Sequence, residues 1–205
     1  MTERPLWLSG FGAFPGVPDN PTSHIAEALQ GERFGDAYVT GRVLDVSYAR
    51  APAQLQESLA QLTCPPRAVV LLGVARKASY VRVERVARNV PAGATPDVDG
   101  LRAAPWPEDP PGLELLTTVD VDGLARSLTD AGYDARVSQD AGDYLCNYSY
   151  YHALRQAQSD DTPALFVHIP PVGARVNQRL WSLETLTAAV RHALTWLTNP
   201  SPEKS

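Results

Sequence analysis

Three observations predict an α/β protein, a single-domain three-layer α/β/α sandwich around a mainly parallel, mixed central sheet. Short apolar runs alternate along the chain with helix-length amphipathic segments, the pattern of repeated βα units. One run, Ala68-Val69-Val70-Leu71-Leu72, is continuously apolar and closes at Gly73, as a strand buried on both faces requires. The 205 residues are 44% hydrophobic and 20% charged, enough apolar material for one substantial core and too much for disorder.

The elements follow in order. Leu6-Trp7-Leu8 reads as a first strand ending at Ser9-Gly10, and Pro21 to Leu29 as a helix with Thr22 or Ser23 as its N-cap. Arg42 to Val46 is a second strand and Pro52 to Leu62 a second helix; Ala68 to Leu72 is the buried strand. Tyr80 to Ala87 alternates Val81, Val83 and Val86 against Arg82, Glu84 and Arg85, so it reads as a further strand. Val121 to Ala131 is helical, Ala135 to Val137 extended, Cys146 to Gln158 helical, Ala164 to Ile169 extended and Ser182 to Leu197 helical. Between Pro91 and Gly112, six prolines and two interior glycines, Gly93 and Gly100, exclude a lasting helix or a central strand. A loop of that length inside a domain is usually functional or mobile. The expected organisation is a domain over residues 1–198 and a flexible tail over 199–205, with no internal repeat.

Composition narrows the function. A net charge of −5 gives no basic patch, so no nucleic-acid partner is expected. The start lacks a signal-peptide core and no apolar stretch reaches the ~20 residues that cross a bilayer, so the expectation is a soluble, cytoplasmic protein with no membrane partner. Two cysteines, Cys64 and Cys146, make no disulfide framework and no C-x-x-C pair; no metal and no cofactor are expected.

The chemistry concentrates in two places. Cys146 follows a polar, glycine-containing turn and opens a helix, where unpaired backbone N–H groups and the positive end of the macrodipole favour a thiolate. Twenty-two residues later His168 ends an apolar strand, locked by Ile169-Pro170. A thiol and an imidazole at element ends are the minimum parts of a cysteine nucleophile with its base. Residue type alone leaves open that Cys146 is a small buried hydrophobe and His168 a satisfied core histidine. Cys64, before Pro65-Pro66, reads as structural, and His24 and His192 as surface or packing residues in helices. His152 lies six residues after Cys146, about 240° round the helix at ~100° per residue, too far to serve the thiol. Glu84, an acid among valines, needs a partner, which Arg85, Arg88 or His168 can supply; a surface acid in a charged strand is the alternative. Phe11 and Phe14, in a glycine-rich turn without G-x-G-x-x-G spacing or a P-loop lysine, suit a flat uncharged ring better than a phosphate.

Together these segments resemble the pyroglutamyl-peptidase I (pyrrolidone-carboxylate peptidase) family of intracellular cysteine exopeptidases. The resemblance rests on Gly10-Phe11-Gly12-Ala13-Phe14 with Asn20-Pro21, Glu84-Arg85-Val86-Ala87 with Asn89, Ala141-Gly142-Asp143-Tyr144-Leu145-Cys146-Asn147, and Phe166-Val167-His168-Ile169-Pro170, in the family's order and spanning about Leu6 to Leu197. It implies removal of N-terminal pyroglutamate from small peptides, with Cys146 as nucleophile, His168 as base and Glu84 as its orienter. It implies too that Phe11, Phe14, Tyr144 and Leu145 bind substrate, and that the protein forms a homo-dimer or homo-tetramer. The chain departs from the family at Arg76-Lys77-Ala78, where Gly-Gly-Arg is usual, at Ala94, where an oxyanion-assisting arginine is usual, and at Pro170-Pro171-Val172-Gly173, where a proline-leucine-proline run is usual. Arg76, Lys77 or Arg102 are the candidate replacements for the arginine. Two other functions compete: a thiol amidohydrolase for another cyclic or acylated amide, and a non-catalytic lactam-binding protein.

Overall fold

A computed structural model describes residues 3–91, 93, 95–176 and 179–199. In chain order the elements are β1 (Arg4–Phe11), α1 (Pro21–Ala28), β2 (Arg33–Phe34), β3 (Ala37–Leu44), α2 (Arg50–Ala60), β4 (Ala68–Val74), β5 (Val81–Glu84), β6 (Val86–Arg88), β7 (Glu114–Leu116), α3 (Val121–Asp130), β8 (Ala135–Ser138), α4 (Leu145–Asp160), β9 (Ala164–Ile169), β10 (Arg175–Val176), β11 (Arg179–Leu180) and α5 (Leu183–Thr198). Seven strands form one sheet in the order β2-β3-β1-β4-β9-β5-β8. It is mixed but mostly parallel: β2 runs antiparallel to β3 and β5 antiparallel to β9, and the other neighbours are parallel.

Side-chain alternation along the strands sorts the core into two layers. Leu6 and Leu8, Val70 and Leu72, Val81 and Val83, and Leu165, Val167 and Ile169 face one way, into a cluster with apolar residues of α1, α3 and α5. Trp7, Val69, Leu71 and Phe166 face the other way, into a cluster completed by α2 and α4. The same parity puts Gly73, His168, Arg82 and Glu84 on the α4 side. Gly73 pairs with His168 and Arg82 pairs with His168 from the other flank, so the ends of β4, β9 and β5 are brought side by side. Among the described residues no helix is long and apolar enough to cross a membrane.

Four local expectations need correction. Asn20, not Thr22 or Ser23, caps α1: its Oδ1 accepts from the Thr22 backbone N–H (3.1 Å) and the Thr22 hydroxyl (2.8 Å). Pro21 occupies the first helical turn, which suits its fixed φ and missing N–H, and so leaves the cap to the residue immediately before it, Asn20. β3 runs over Ala37–Leu44 rather than Arg42 to Val46, because Ala37 and Val39 supply the buried positions despite the interior Gly41. The stretch Tyr80 to Ala87 is two strands broken at Arg85. β5 stays in the main sheet, while β6 turns away to pair antiparallel with β7. The hydroxyl of Tyr150 takes the Glu84 carbonyl (3.0 Å) at the point where the ladder ends. The short strands β2, β7, β10 and β11 were not anticipated.

The described part of the proline-rich stretch holds no helix or strand, as expected, but it is tied down. Asn89 donates to the carbonyls of Trp106 (3.0 Å), Asp109 (3.0 Å) and Pro110 (3.2 Å) and accepts from the Trp106 N–H (2.6 Å). Asp97 accepts from the backbone N–H groups of Tyr48, Asp99 and Leu101. Side chains thus replace the regular ladder that the prolines forbid. Ala94 and the tail beyond Asn199 lie outside the described residues.

Candidate active site

Cys146 occupies the first turn of α4, two residues after the N-cap Tyr144, and it is half-buried. No side chain caps this helix end, so its first N–H groups, that of Cys146 among them, have no intrahelical acceptor. They point outward with the positive end of the helix dipole. Gly73, at the end of β4, borders the sulfur, and even a methyl group there would come within 3.0 Å of Sγ. Asn147 pins the same turn to β6, accepting from the Arg88 N–H (2.9 Å) and donating to the Arg88 carbonyl (2.9 Å).

His168 lies on β9, nearly buried, with Nδ1 2.8 Å from Glu84 Oε1. That bond leaves Nε2 for the other side of the ring. Burial lowers the pKa of the imidazole, but the charge and hydrogen bond of Cys146, followed by those of Glu84, outweigh it and raise it to about 9. The imidazole is therefore charged at neutral pH, with the Cys146 sulfur and the Glu84 carboxyl group as its neighbours.

Glu84 is fully buried, which a carboxylate tolerates only with partners. Beside His168 the partner is Arg82, whose Nε donates to the same Oε1 at 3.1 Å, rather than Arg85 or Arg88. Arg82 is two residues from Glu84 on one strand and shares its face. Arg85 pairs with Asp122 and Arg88 with Glu114 instead. Arg82 is itself fixed by the Ser138 hydroxyl (2.7 Å) and the Asp140 carbonyl in the turn that leads to Cys146. Sequence reasoning passed over Arg82, although the i, i+2 spacing to a buried acid was a readable signal.

The four aromatic and aliphatic candidates separate into two depths. Phe11 and Leu145 are buried in the cluster that α2 and α4 share. Phe14 and Tyr144 are partly exposed above it, their ring centroids 6.4 Å apart. Phe14 is held by a two-way backbone bridge to Val17. Tyr48, which sequence reasoning missed, packs edge-on against both Tyr144 (5.8 Å) and Tyr148 (5.2 Å). Tyr144 donates its hydroxyl to Pro96 (3.2 Å), so the proline-rich stretch touches this aromatic group directly.

The other histidines stand apart. His152 lies between the rings of Trp106 (4.5 Å, edge-on) and Tyr148 (4.6 Å, tilted), and burial lowers its pKa to about 4, so it is neutral. His24 meets Asp19, and His192 meets Ser127 at 2.9 Å. Cys64 is a free thiol 3.7 Å from the Glu3 carbonyl. Among the described residues no group of His, Cys, Asp and Glu side chains could hold a metal ion. Of the candidate replacement cations, Arg102 donates to the Gly93 carbonyl (2.7 Å), and Arg76 and Lys77 are exposed.

The sequence profile of the pyroglutamyl peptidases matches residues 5–197. The chain belongs to the pyroglutamyl peptidase family. It is 36% identical over 171 residues to the pyrrolidone-carboxylate peptidase of Thermococcus litoralis, covering 82% of this chain and 76% of that one. It is 32% identical over 205 residues to that of Cupriavidus pinatubonensis, covering 93% and 91%. The solved pyrrolidone carboxyl peptidase from Thermococcus litoralis superposes with a TM-score of 0.84 at 32% identity, over 93% of this chain and 91% of that one. A mutant of the Pyrococcus furiosus enzyme does so at 0.83 and 29%, over 93% and 96%. As a pyroglutamyl peptidase the protein is a cysteine peptidase with the fold of those structures: a seven-stranded, mostly parallel sheet between helices.

Proposed function

We propose that this protein removes N-terminal pyroglutamate from small peptides through Cys146, His168 and Glu84. The observation that carries the reading is the juxtaposition of the three groups on one sheet face: the thiol at a helix N-terminus, the imidazole on β9 and the buried carboxylate on β5. Phe14 and Tyr144, backed by the buried Phe11 and Leu145, form the apolar side of the site and take the pyrrolidone ring, a neutral lactam that needs flat walls rather than a charge.

The Cys146 thiolate adds to the pyroglutamyl carbonyl carbon, and the C=O electron pair moves onto oxygen. Backbone N–H groups at the start of α4, that of Cys146 included, hold this oxyanion. As the intermediate collapses, the scissile C–N bond breaks and the leaving nitrogen takes the proton of the His168 imidazolium, which leaves a thioester and a free peptide amine. The neutral imidazole then takes a proton from water while the water oxygen adds to the thioester. Collapse releases pyroglutamic acid and restores the thiolate–imidazolium pair. Glu84 holds the ring in the tautomer and orientation that both steps need. The free thiol fits a reducing, cytoplasmic setting.

The test is cleavage of pyroglutamyl-aminomethylcoumarin. Wild type is expected to turn over, and Cys146→Ser or treatment with iodoacetamide to abolish turnover. No cleavage anywhere between about pH 6 and 9, or turnover retained by Cys146→Ser, would overturn the proposal.

A further inference from the structure

The cavity beside the site points to a second feature of the substrate. At the same edge of the sheet as Cys146 and His168, but on the side covered by α1 and α5, lies a cavity of about 490 Å³. Its walls are Val17, Pro18, Pro21, Val172 and Leu183, with Arg76 as its cation. Three segments build both places: Val74 follows Gly73 beside the sulfur, Pro171 lies three residues beyond His168, and Gly16 lies two beyond Phe14. Neighbouring strand ends lie about 4.8 Å apart and two residues of extended backbone span about 7 Å, so the second residue of a leaving chain is the one on the scale of a step across this edge.

Arg76 is exposed and lies over the Gly16 turn. Gly16 has φ +87°, a conformation suited to glycine, and a Cβ on it would lie 2.9 Å from Arg76 Nη1. The guanidinium therefore lies over a turn that has no side chain to push it off. Among the described residues Arg76 makes no ion pair. The other charged groups nearby are Asp19, which lines the cavity beside its partner His24, and the exposed Lys77 next to Arg76.

We propose that this cavity binds the second residue after the scissile bond of a short substrate, with an apolar side chain against the proline and valine walls and its free carboxylate on Arg76. The inference rests on the pyroglutamyl-peptidase reading and specifies the leaving group: small peptides with a free C-terminus rather than long chains or amidated peptides. Arg fits because its planar fork binds a carboxylate through two parallel hydrogen bonds.

The experiment compares kcat/KM for pyroglutamyl-Ala-Leu with that for its C-terminal amide, a ratio taken within each variant so that changes in overall activity cancel. Wild type is expected to prefer the free acid about two- to five-fold, the scale of a solvent-accessible ion pair. The ratio is expected to fall to about one in Arg76→Gln, to recover partly in Arg76→Lys, and to persist in Lys77→Gln. A wild-type ratio near one, a preference that survives Arg76→Gln, or one that Lys77→Gln alone removes would overturn the inference. Failure to cleave either peptide or pyroglutamyl-aminomethylcoumarin would instead overturn the parent reading, and this one with it.

Discussion

A Cβ on Gly73 would sit 2.8 Å from two carbons of the Phe166 ring as well as against the Cys146 sulfur. Phe166 is fully buried and packed against Tyr150, so the ring has no room to yield. Gly73→Ala is therefore expected to displace the thiol. A loss of at least about ten-fold in kcat/KM for pyroglutamyl-aminomethylcoumarin should accompany slower alkylation of Cys146, since a shift of about 1 Å in a reacting group can cost 10²-fold. Wild-type rates in both assays would refute this role. Arg82 acts through Glu84. Arg82→Ala leaves a buried carboxylate with His168 as its one charged partner and is expected to cost about 1–2 kcal/mol, less than a fully buried pair because Arg82 is 28% exposed. Urea unfolding measures it, and Arg82→Lys should recover part. Arg82 did not stand out in the sequence and Gly73 did so only as the close of a buried strand, since each matters through register: Gly73 faces Phe166 and Cys146 only because β4 pairs with β9 as it does. Cys146, His168 and Glu84 could be singled out as candidates because a thiol, an imidazole and a lone acid in apolar runs are conspicuous by type.

At the scale of elements, strands buried on both faces were easy to read and interrupted ones were not. β9 runs over Ala164–Ile169 as anticipated, because six consecutive buried residues leave no other period to fit. The break at Arg85 escaped notice because the alternation of Tyr80 to Ala87 continues through it. The break depends on Tyr150 and on β7, both far along the chain. The proline-rich stretch shows the same limit: its lack of helix and strand was readable, its ordering by Asn89 was not. Asn89→Ala removes four side-chain hydrogen bonds and strands several carbonyls. The expected cost is about 2 kcal/mol, a Tm lowered by on the order of 4–8 °C, and faster proteolysis between residues 91 and 112. An unchanged Tm and digestion pattern would show that the prolines alone hold this segment.

Across the whole molecule, three segments separated by more than sixty and by twenty-two positions converge because strand parity turns Glu84 and His168 toward the face that α4 covers. The parity was present in the sequence; which helix lies on which face was not, since both layers are equally apolar. The convergence couples the site to pH. The His168 pKa, raised to about 9, keeps the imidazole charged through neutrality, so the proton that the proposed mechanism passes to the leaving amine is available below that value and lost above it. Glu84 contributes to the raised value, so removing its charge is expected to bring the titration down toward the ordinary ~6.5 of histidine.

The most direct measurement is the pH profile of kcat/KM for pyroglutamyl-aminomethylcoumarin in wild type and Glu84→Gln. Wild type should fall off on the alkaline side near pH 9. Glu84→Gln should show a plateau lower by about 10²-fold or more and an alkaline limb displaced to lower pH. Superimposable profiles, or a wild-type rate still rising through pH 10, would contradict the joint action of Cys146, His168 and Glu84.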